Sequence, residues 1–239
     1  MAKPTYNELL AAGVHFGHMK RKWNPKMQQY IFMEHKGIHL IDLNRTSEAL
    51  DKAANAMRQI AKSGRKILFV ATKKQAREIA ANAARKCGMP YVTERWLGGM
   101  MTNFSTIKRS IKKMNTIDRM LADGSLTSVT KKERLTLTRE RNKLEKVLGG
   151  ISQINRLPAA LFIIDISHEH IALSEARKLG LRTVAMVDTN SDPTSVDFPI
   201  PSNDDASKSI KLIAEYMVEA IQEGLKERSA DKEMKKAEA

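Results

Sequence analysis

From about residue 38 onward two hydrophobic patterns alternate along the chain: short continuous apolar runs, and longer stretches whose apolar residues recur every three or four positions. The first predicts buried strands and the second amphipathic helices, so together they predict an α/β fold. Ile67 to Ala71 reads as a strand, followed by a helix from near Lys74 with Ala76, Ile79, Ala80, Ala83 and Cys87 inward, stopped by Gly88 and Pro90. Ahead of it, Thr46 or Ser47 can cap a helix whose inward face is Leu50, Ala53, Ala54, Met57, Ile60 and Ala61, closed by Gly64. The theme returns with a strand at Leu161 to Ile164, a helix burying Ile171, Ala172 and Leu179 and ending at Gly180, and a strand at Thr183 to Val187. Strands apolar on both faces predict a Rossmann-like parallel sheet flanked by helices, with right-handed crossovers. A last helix from about Asp205, capped by Asn203 or Asp204, turns Ala206, Ile210, Ile213, Ala214, Met217 and Ile221 inward. After Gly224 the pattern dissolves, and residues 227–239 read as a charged tail that is either a frayed helix end or disordered.

Residues 105–150 break the alternation. Ile107, Ile111, Met114, Ile117 and Leu121 follow a coiled-coil spacing, Asp123 and Gly124 mark a turn, and Leu137, Leu144, Leu148 and Ile151 share one face of a return helix. This predicts an antiparallel coiled-coil hairpin inserted into a body made of residues 1–104 and 151–226. Arms of about 16 to 20 residues reach about 25 to 30 Å.

Charge changes the picture. Across 239 residues, 41 Lys and Arg face 27 Asp and Glu, a net +14. A surface this basic gains affinity for a polyanion by releasing counterions from phosphates, without reading any base. The 12 cations and 5 acids of the predicted hairpin give it +7, half the total, so the hairpin reads as an arm for phosphates. The single cysteine, Cys87, reads as a small core residue and rules out a disulfide within the chain. No apolar run approaches the roughly 18 residues of a membrane span, and the first residues lack the apolar stretch of a signal peptide. The expectation is a cytoplasmic protein without a membrane partner and without self-association.

Candidate chemistry is correspondingly sparse. Lys20, Arg21, Lys22, Trp23, Asn24 and Lys26 set cations around an indole that either stacks on a base or is tucked into the core. Arg95, Trp96, Gly98, Gly99, Thr102 and Asn103 lie just before a helix, where adjacent glycines permit backbone approach to a phosphate or a hinge. Lys73, Lys74 and Arg77 follow the first strong strand, at the mouth of a parallel sheet. Lys108, Arg109, Lys112 and Lys113 open the hairpin. No phosphate-loop or dinucleotide fingerprint is present, and no spacing of Ser, His, Asp or Cys suggests catalysis, so no enzyme is expected and no cofactor is required. His18, Asp188, Asp204 and Asp205 are candidate ligands for a single Zn or Mg ion if the N-terminal loop covers the strand ends. The bland alternative is that these aspartates only favour a helix start and a turn.

The segments LLAAGVHFGH, WNPKM, YIF, IHLIDL, ILFVATKKQA, RWLGGMMTNF, VAMVDTNSDP and PIPSNDDA, in that order from about residue 9 to residue 225, resemble the bacterial-type small-subunit ribosomal protein S2 family. The resemblance implies a Rossmann-like body with an inserted coiled-coil hairpin, a structural role in translation, and a place in the small ribosomal subunit between head and body. It also implies contact with small-subunit (16S-type) rRNA and recruitment of the large OB-fold protein that captures mRNA. Position by position it selects Trp23, Asn24, Lys26, Lys73, Lys74 and residues 95–103 as RNA-facing or site-shaping. Ala71 stands where some members have glycine, which argues against a tight phosphate turn. Ser191 stands where many have cysteine, which favours a hard metal or none.

Overall fold

The computed structural model describes residues 3–123 and 130–237. Five strands, β4 (Ile67–Val70), β5 (Tyr91–Val92), β6 (Ala160–Ile164), β7 (Arg182–Val187) and β8 (Phe198–Pro201), form one parallel sheet in the order β5-β4-β6-β7-β8. Counted from β4 this is the 2-1-3-4-5 order of flavodoxin-like doubly wound sheets, whose switch point lies between β4 and β6. The expected α/β fold with a helix-flanked parallel sheet is what forms.

Alternate side chains of the sheet feed two cores. Ile67, Phe69, Phe162, Ile164, Val184 and Met186 pack against α1 (Tyr6–Ala11), α2 (Leu43–Lys62), α3 (Arg77–Lys86) and α7 (Ser207–Ala237). Phe69 and Phe162 meet edge to face at 5.3 Å. On the other face Leu68, Val70, Leu161, Ile163 and Val187 pack against α6 (His170–Lys178) and against the roots of α4 (Phe104–Ala122) and α5 (Lys131–Leu148).

Several helix boundaries differ from the expectation, each for a local reason. Asp42, not Thr46 or Ser47, caps α2: its Oδ1 accepts from Asn44 N at 2.8 Å, while buried Thr46 donates to Pro201 O at 2.7 Å and ties α2 to β8. The helix expected from Lys74 begins at Arg77, because Lys73 O accepts from both Ala76 N and Arg77 N in a preceding turn. α7 starts at Ser207, after Asn203 Oδ1 accepts from the amides of Asp205 and Ala206. In α6 the expected inward pair Ile171 and Leu179 is exposed; Ala172, Leu173 and Ala176 face in, beside a buried Glu175.

Nor does the helix end near Gly224. α7 continues to Ala237 through the segment expected to be a frayed helix end or disordered, while Glu238 and Ala239 lie outside the described residues. Gly224 is where α7 crosses α2: a Cβ there would stand 2.3 Å from Arg58 O. Beyond the crossing, Glu227 and Asp231 pair with Lys62 at 3.2 and 3.5 Å, so acids and bases extend the seam where apolar residues stop.

α4 buries Ile107, Ile111, Met114 and Ile117, whereas α5 buries only Leu148. Ile107, Ile111 and Leu148 belong to the second core and root both helices in the body. Farther out, Arg141 Nε bonds Asp118 at 2.6 Å and Lys113 pairs with Glu140, linking the helices side by side. Asp123 closes α4 through Arg119 O; the turn expected at Gly124 lies outside the described residues.

The N-terminal region, expected to be loops, contains a second sheet. Strands β1 (Phe16–Met19), β2 (Ile31–His35) and β3 (Ile38–Ile41) pair antiparallel in the order β1-β3-β2. Lys36 and Gly37, both at positive φ (49° and 78°), make the tight β2–β3 turn. This sheet docks on the carboxyl ends of the parallel strands. His18 N donates to Thr189 Oγ1 at 2.8 Å and Asn24 N to Thr189 O at 2.8 Å. Gly17 permits the approach, since a Cβ there would stand 2.6 Å from the Thr189 methyl.

Candidate nucleic-acid interface

At the carboxyl ends of the strands a charged cluster closes the sheet. β4 delivers Lys73, β6 Asp165, β7 Asp188, the segment after β8 Asp204 and Asp205, and β1 His18. The Lys73 ammonium bonds Asp165 Oδ2 at 3.0 Å, Asp204 Oδ1 at 2.8 Å and Asp205 Oδ1 at 2.7 Å. Burial works against that charge, but the Asp204, Asp205 and Asp165 carboxylates outweigh it and raise the lysine's pKa. His18 Nδ1 lies 2.9 Å from Asp188 Oδ2 and its Nε2 3.5 Å from Asp205 Oδ2. The Asp188 hydrogen bond raises the His18 pKa against the opposing effect of burial. Asp204 is fully buried, and burial first, then the charges of Asp165 and Asp188, push its carboxyl up.

Two expectations change here. Lys73, expected to face RNA, is engaged by three carboxylates inside the fold. The four candidate metal ligands do lie together, but Asp204 and Asp205 are held by the Lys73 ammonium and Asp188 by His18, so their charge is already matched within the chain. Among the described residues no group of three or more His, Cys, Asp or Glu is arranged to hold a metal ion.

A second network governs the loop around Trp96. Glu175, on α6, accepts from Trp96 Nε1 at 3.0 Å, Gly99 N at 2.7 Å, Met101 N and Thr102 N at 2.9 Å, and Thr102 Oγ1 at 3.0 Å. The backbone donors expected to receive a phosphate are thus turned inward to a carboxylate of the chain itself. Trp96 and Met101 are buried there, while Thr102 stays at the surface. Gly99 takes φ 83°, which the tight loop requires. Glu175 escaped the sequence reading because an acid between Ala172, Leu173 and Ala176 reads as a solvent position; its only signal was interrupting that apolar stripe.

The remaining candidates divide by whether their charge is already matched. Lys20 pairs with Glu34 at 2.7 Å, Lys26 with Asp192 at 2.6 Å, and Arg77 with Glu94 at 3.4 Å and Thr72 O at 2.8 Å. Lys108 donates to Asn155 O at 2.6 Å, and Lys113 is held by Glu140. Trp23 is half-buried with its ring tilted on His39 at 5.2 Å, and Asn24 Oδ1 accepts from Lys26 N to cap the following turn. Asn103 accepts from the Ser105 and Thr106 hydroxyls, and Gly98 is exposed with open space around it.

Arg21, Lys74, Arg95, Arg109 and Lys112 are exposed, and their side chains carry no ion pair or hydrogen bond among the described residues. Lys22 is exposed as well, with Asp205 as its electrostatic neighbour. Lys131, Lys132, Arg134, Arg139 and Lys143 add exposed charge along α5. These free candidates therefore form two groups: one at the carboxyl end of the sheet, and one along the α4–α5 pair. Such heads on long stems suit phosphate oxygens and carry no base-reading geometry.

Comparison with known proteins gives the same direction. A family model described as ribosomal protein S2 matches residues 9–224. The chain is 58% identical over 231 residues to small ribosomal subunit protein uS2 of Cytophaga hutchinsonii, covering 97% of this chain and 91% of that one. It is also 58% identical to the protein of that name from Flavobacterium johnsoniae, with the same coverage. Against that of Porphyromonas gingivalis it is 57% identical over 232 residues, 97% of this chain and 83% of the relative.

Proposed function

Because this chain belongs to the ribosomal protein S2 family, a structural and non-enzymatic component of the small ribosomal subunit, we propose that it grips small-subunit rRNA through the α4–α5 pair and the N-terminal loop. Its place is the cytoplasmic ribosome and its role is structural, in translation. Among the described residues no helix is long and apolar enough to cross a membrane.

The observation that carries the rRNA reading is the concentration of half the net charge on residues 105–150, with Arg109 and Lys112 unpaired and exposed. Counterion release makes such contacts the main source of affinity for RNA. The role is positioning, with the body turned toward neighbouring ribosomal proteins, including the large OB-fold protein that captures mRNA. Exposed Phe16, Met19, Met33 and Ile38 on the N-terminal sheet support a protein-docking face there.

Co-sedimentation with small subunits tests the proposal. The wild-type chain is expected to pellet with subunits after a low-salt wash, and a chain carrying Arg109→Ala and Lys112→Ala to wash off at lower salt. Equal retention of the two proteins at every salt concentration would sink the α4–α5 assignment.

A further inference from the structure

We propose that the cleft at the amino end of the parallel sheet is a third binding site for RNA phosphates, beyond the α4–α5 pair and the N-terminal loop. The inference rests on the rRNA-binding reading above and adds a place that no sequence motif indicated. The cleft measures about 910 Å³. Its walls come from the segment before β4, from the end of α3 through the start of β5, and from the connection between α5 and β6.

Its charge has one sign. Arg65, Lys66, Arg85 and Arg156 line it, and no lining residue is Asp or Glu. The Arg228 guanidinium lies against Gly64 at its lip, so close that a Cβ on Gly64 would meet it at 2.1 Å. Glu145, which packs on Gly149, is ion-paired with Arg141 at 3.8 Å. Concave walls bearing one sign of charge focus the field and concentrate the opposite ion.

Two of the cations are held in place and two are free. Arg85 bonds Tyr91 Oη at 2.8 Å and sits over that ring at 5.1 Å. Lys66 Nζ donates to Gly88 O at 2.7 Å, leaving two of its protons for an anion. Arg65 and Arg156 are exposed and unpaired among the described residues. Gly150 lets the connection between α5 and β6 close on the start of β5, since a Cβ there would stand 2.2 Å from Tyr91 O.

The cleft is also continuous with the root of the basic helix pair. Lys108 on α4 donates to Asn155 O in the cleft wall. It stands at the opposite end of the strands from Arg21, Lys74 and Arg95, about 15 Å away for strands of four to five residues. A phosphate run held there is therefore distinct from one held at the carboxyl end.

The test measures binding of the full chain to isolated small-subunit rRNA as log K against log salt. Four proteins are compared: wild type, Arg65→Ala with Arg156→Ala, Arg109→Ala with Lys112→Ala, and Lys208→Ala with Lys211→Ala as an equal charge loss on exposed positions of α7. The cleft variant is expected to lower the slope by about 2, one for each phosphate contact removed, with the α7 control unchanged. An unchanged slope in the cleft variant with a lowered one in the α4 variant overturns the cleft and leaves the rRNA reading standing. Equal losses in the cleft variant and the α7 control mean net charge alone and also overturn it. Absence of binding by wild type overturns both readings. An unchanged rRNA slope with poorer assembly of the cleft variant into subunits would assign the cleft to an acidic protein segment instead.

Discussion

Trp96 and Glu175, 79 residues apart in sequence, meet through a 3.0 Å hydrogen bond from the indole Nε1 to Oε1. The same carboxylate takes three backbone amides and a hydroxyl of the loop that leads into α4. One side chain on α6 therefore sets the shape of the segment from which the basic helix pair departs.

Replacing Glu175 with Ala leaves five donors without their acceptor. Buried donors left unsatisfied cost about 1 to 3 kcal/mol each when water cannot reach them. With part of the loop rehydrating, a loss of about 3 kcal/mol is expected, a fall in Tm of about 6 to 12 °C for a chain of this size. Thermal unfolding followed by circular dichroism checks it, and an unchanged Tm would remove Glu175 from its organising role.

Acid should act through the same group. Burial opposes ionisation of Glu175, but the donors from Thr102, Trp96, Met101 and Gly99 outweigh it and hold the carboxyl below its ordinary 4.5. A carboxylate whose folded pKa is depressed contributes stability that is complete above the unfolded value and is lost as pH falls through the folded one. Wild type should therefore lose more stability than Glu175→Gln from about pH 5 downward. Parallel denaturant midpoints for the two proteins across that range would contradict this.

The strand-end cluster predicts the outcome of elemental analysis. With the Lys73 ammonium on three carboxylates, purified protein is expected to carry no stoichiometric Zn or Mg. Lys73→Met is expected to cost about 3 to 5 kcal/mol, because it strands buried carboxylates. It should also create affinity for a divalent ion that restores the Tm. A stoichiometric metal in the wild-type protein would show that Lys73 yields its place.

The helix pair should be removable only in part. Excising residues 112–143 leaves Ile107, Ile111 and Leu148 in the second core and should give a folded body with weaker rRNA binding. Excising residues 105–148 removes all three, at about 1.5 to 3 kcal/mol for each buried side chain. Cooperative unfolding of the first deletion and its loss in the second are expected; equal behaviour would show that these residues do not anchor the pair.

How far the sequence foretold these arrangements depends on what each residue is doing. The run from Ile67 to Ala71 is buried on both faces, so its continuous apolar character announces a central strand. The stripe Leu50, Ala53, Ala54 and Met57 likewise announces α2, because one core fills one face of one helix. β1 and β2 gave no such signal: their apolar residues Phe16, Met19 and Met33 are exposed, so neither alternation nor a continuous run marks them. Lys73 and Glu175 were hidden for a further reason. A charged residue reads as a surface position until the groups that neutralise it are known, and these lie 92 to 132 and 73 to 79 residues away. The candidate RNA surface was legible as net charge, while which cations remain free depended on distant partners.

The close approach of Gly17 to Thr189 also has a consequence in time. The first forty residues leave the ribosome early, but the hydroxyl that receives His18 N and the Asn203 amide that donates to Val14 O emerge far later. At about 5 to 20 residues per second the wait is on the order of 10 to 40 seconds. Throughout it the N-terminal sheet has no surface to dock on, and Val14 and Met27, fully buried in the finished fold, stay exposed to other chains. A nascent subunit of the translation machinery thus spends much of its own synthesis with its opening segment unfinished.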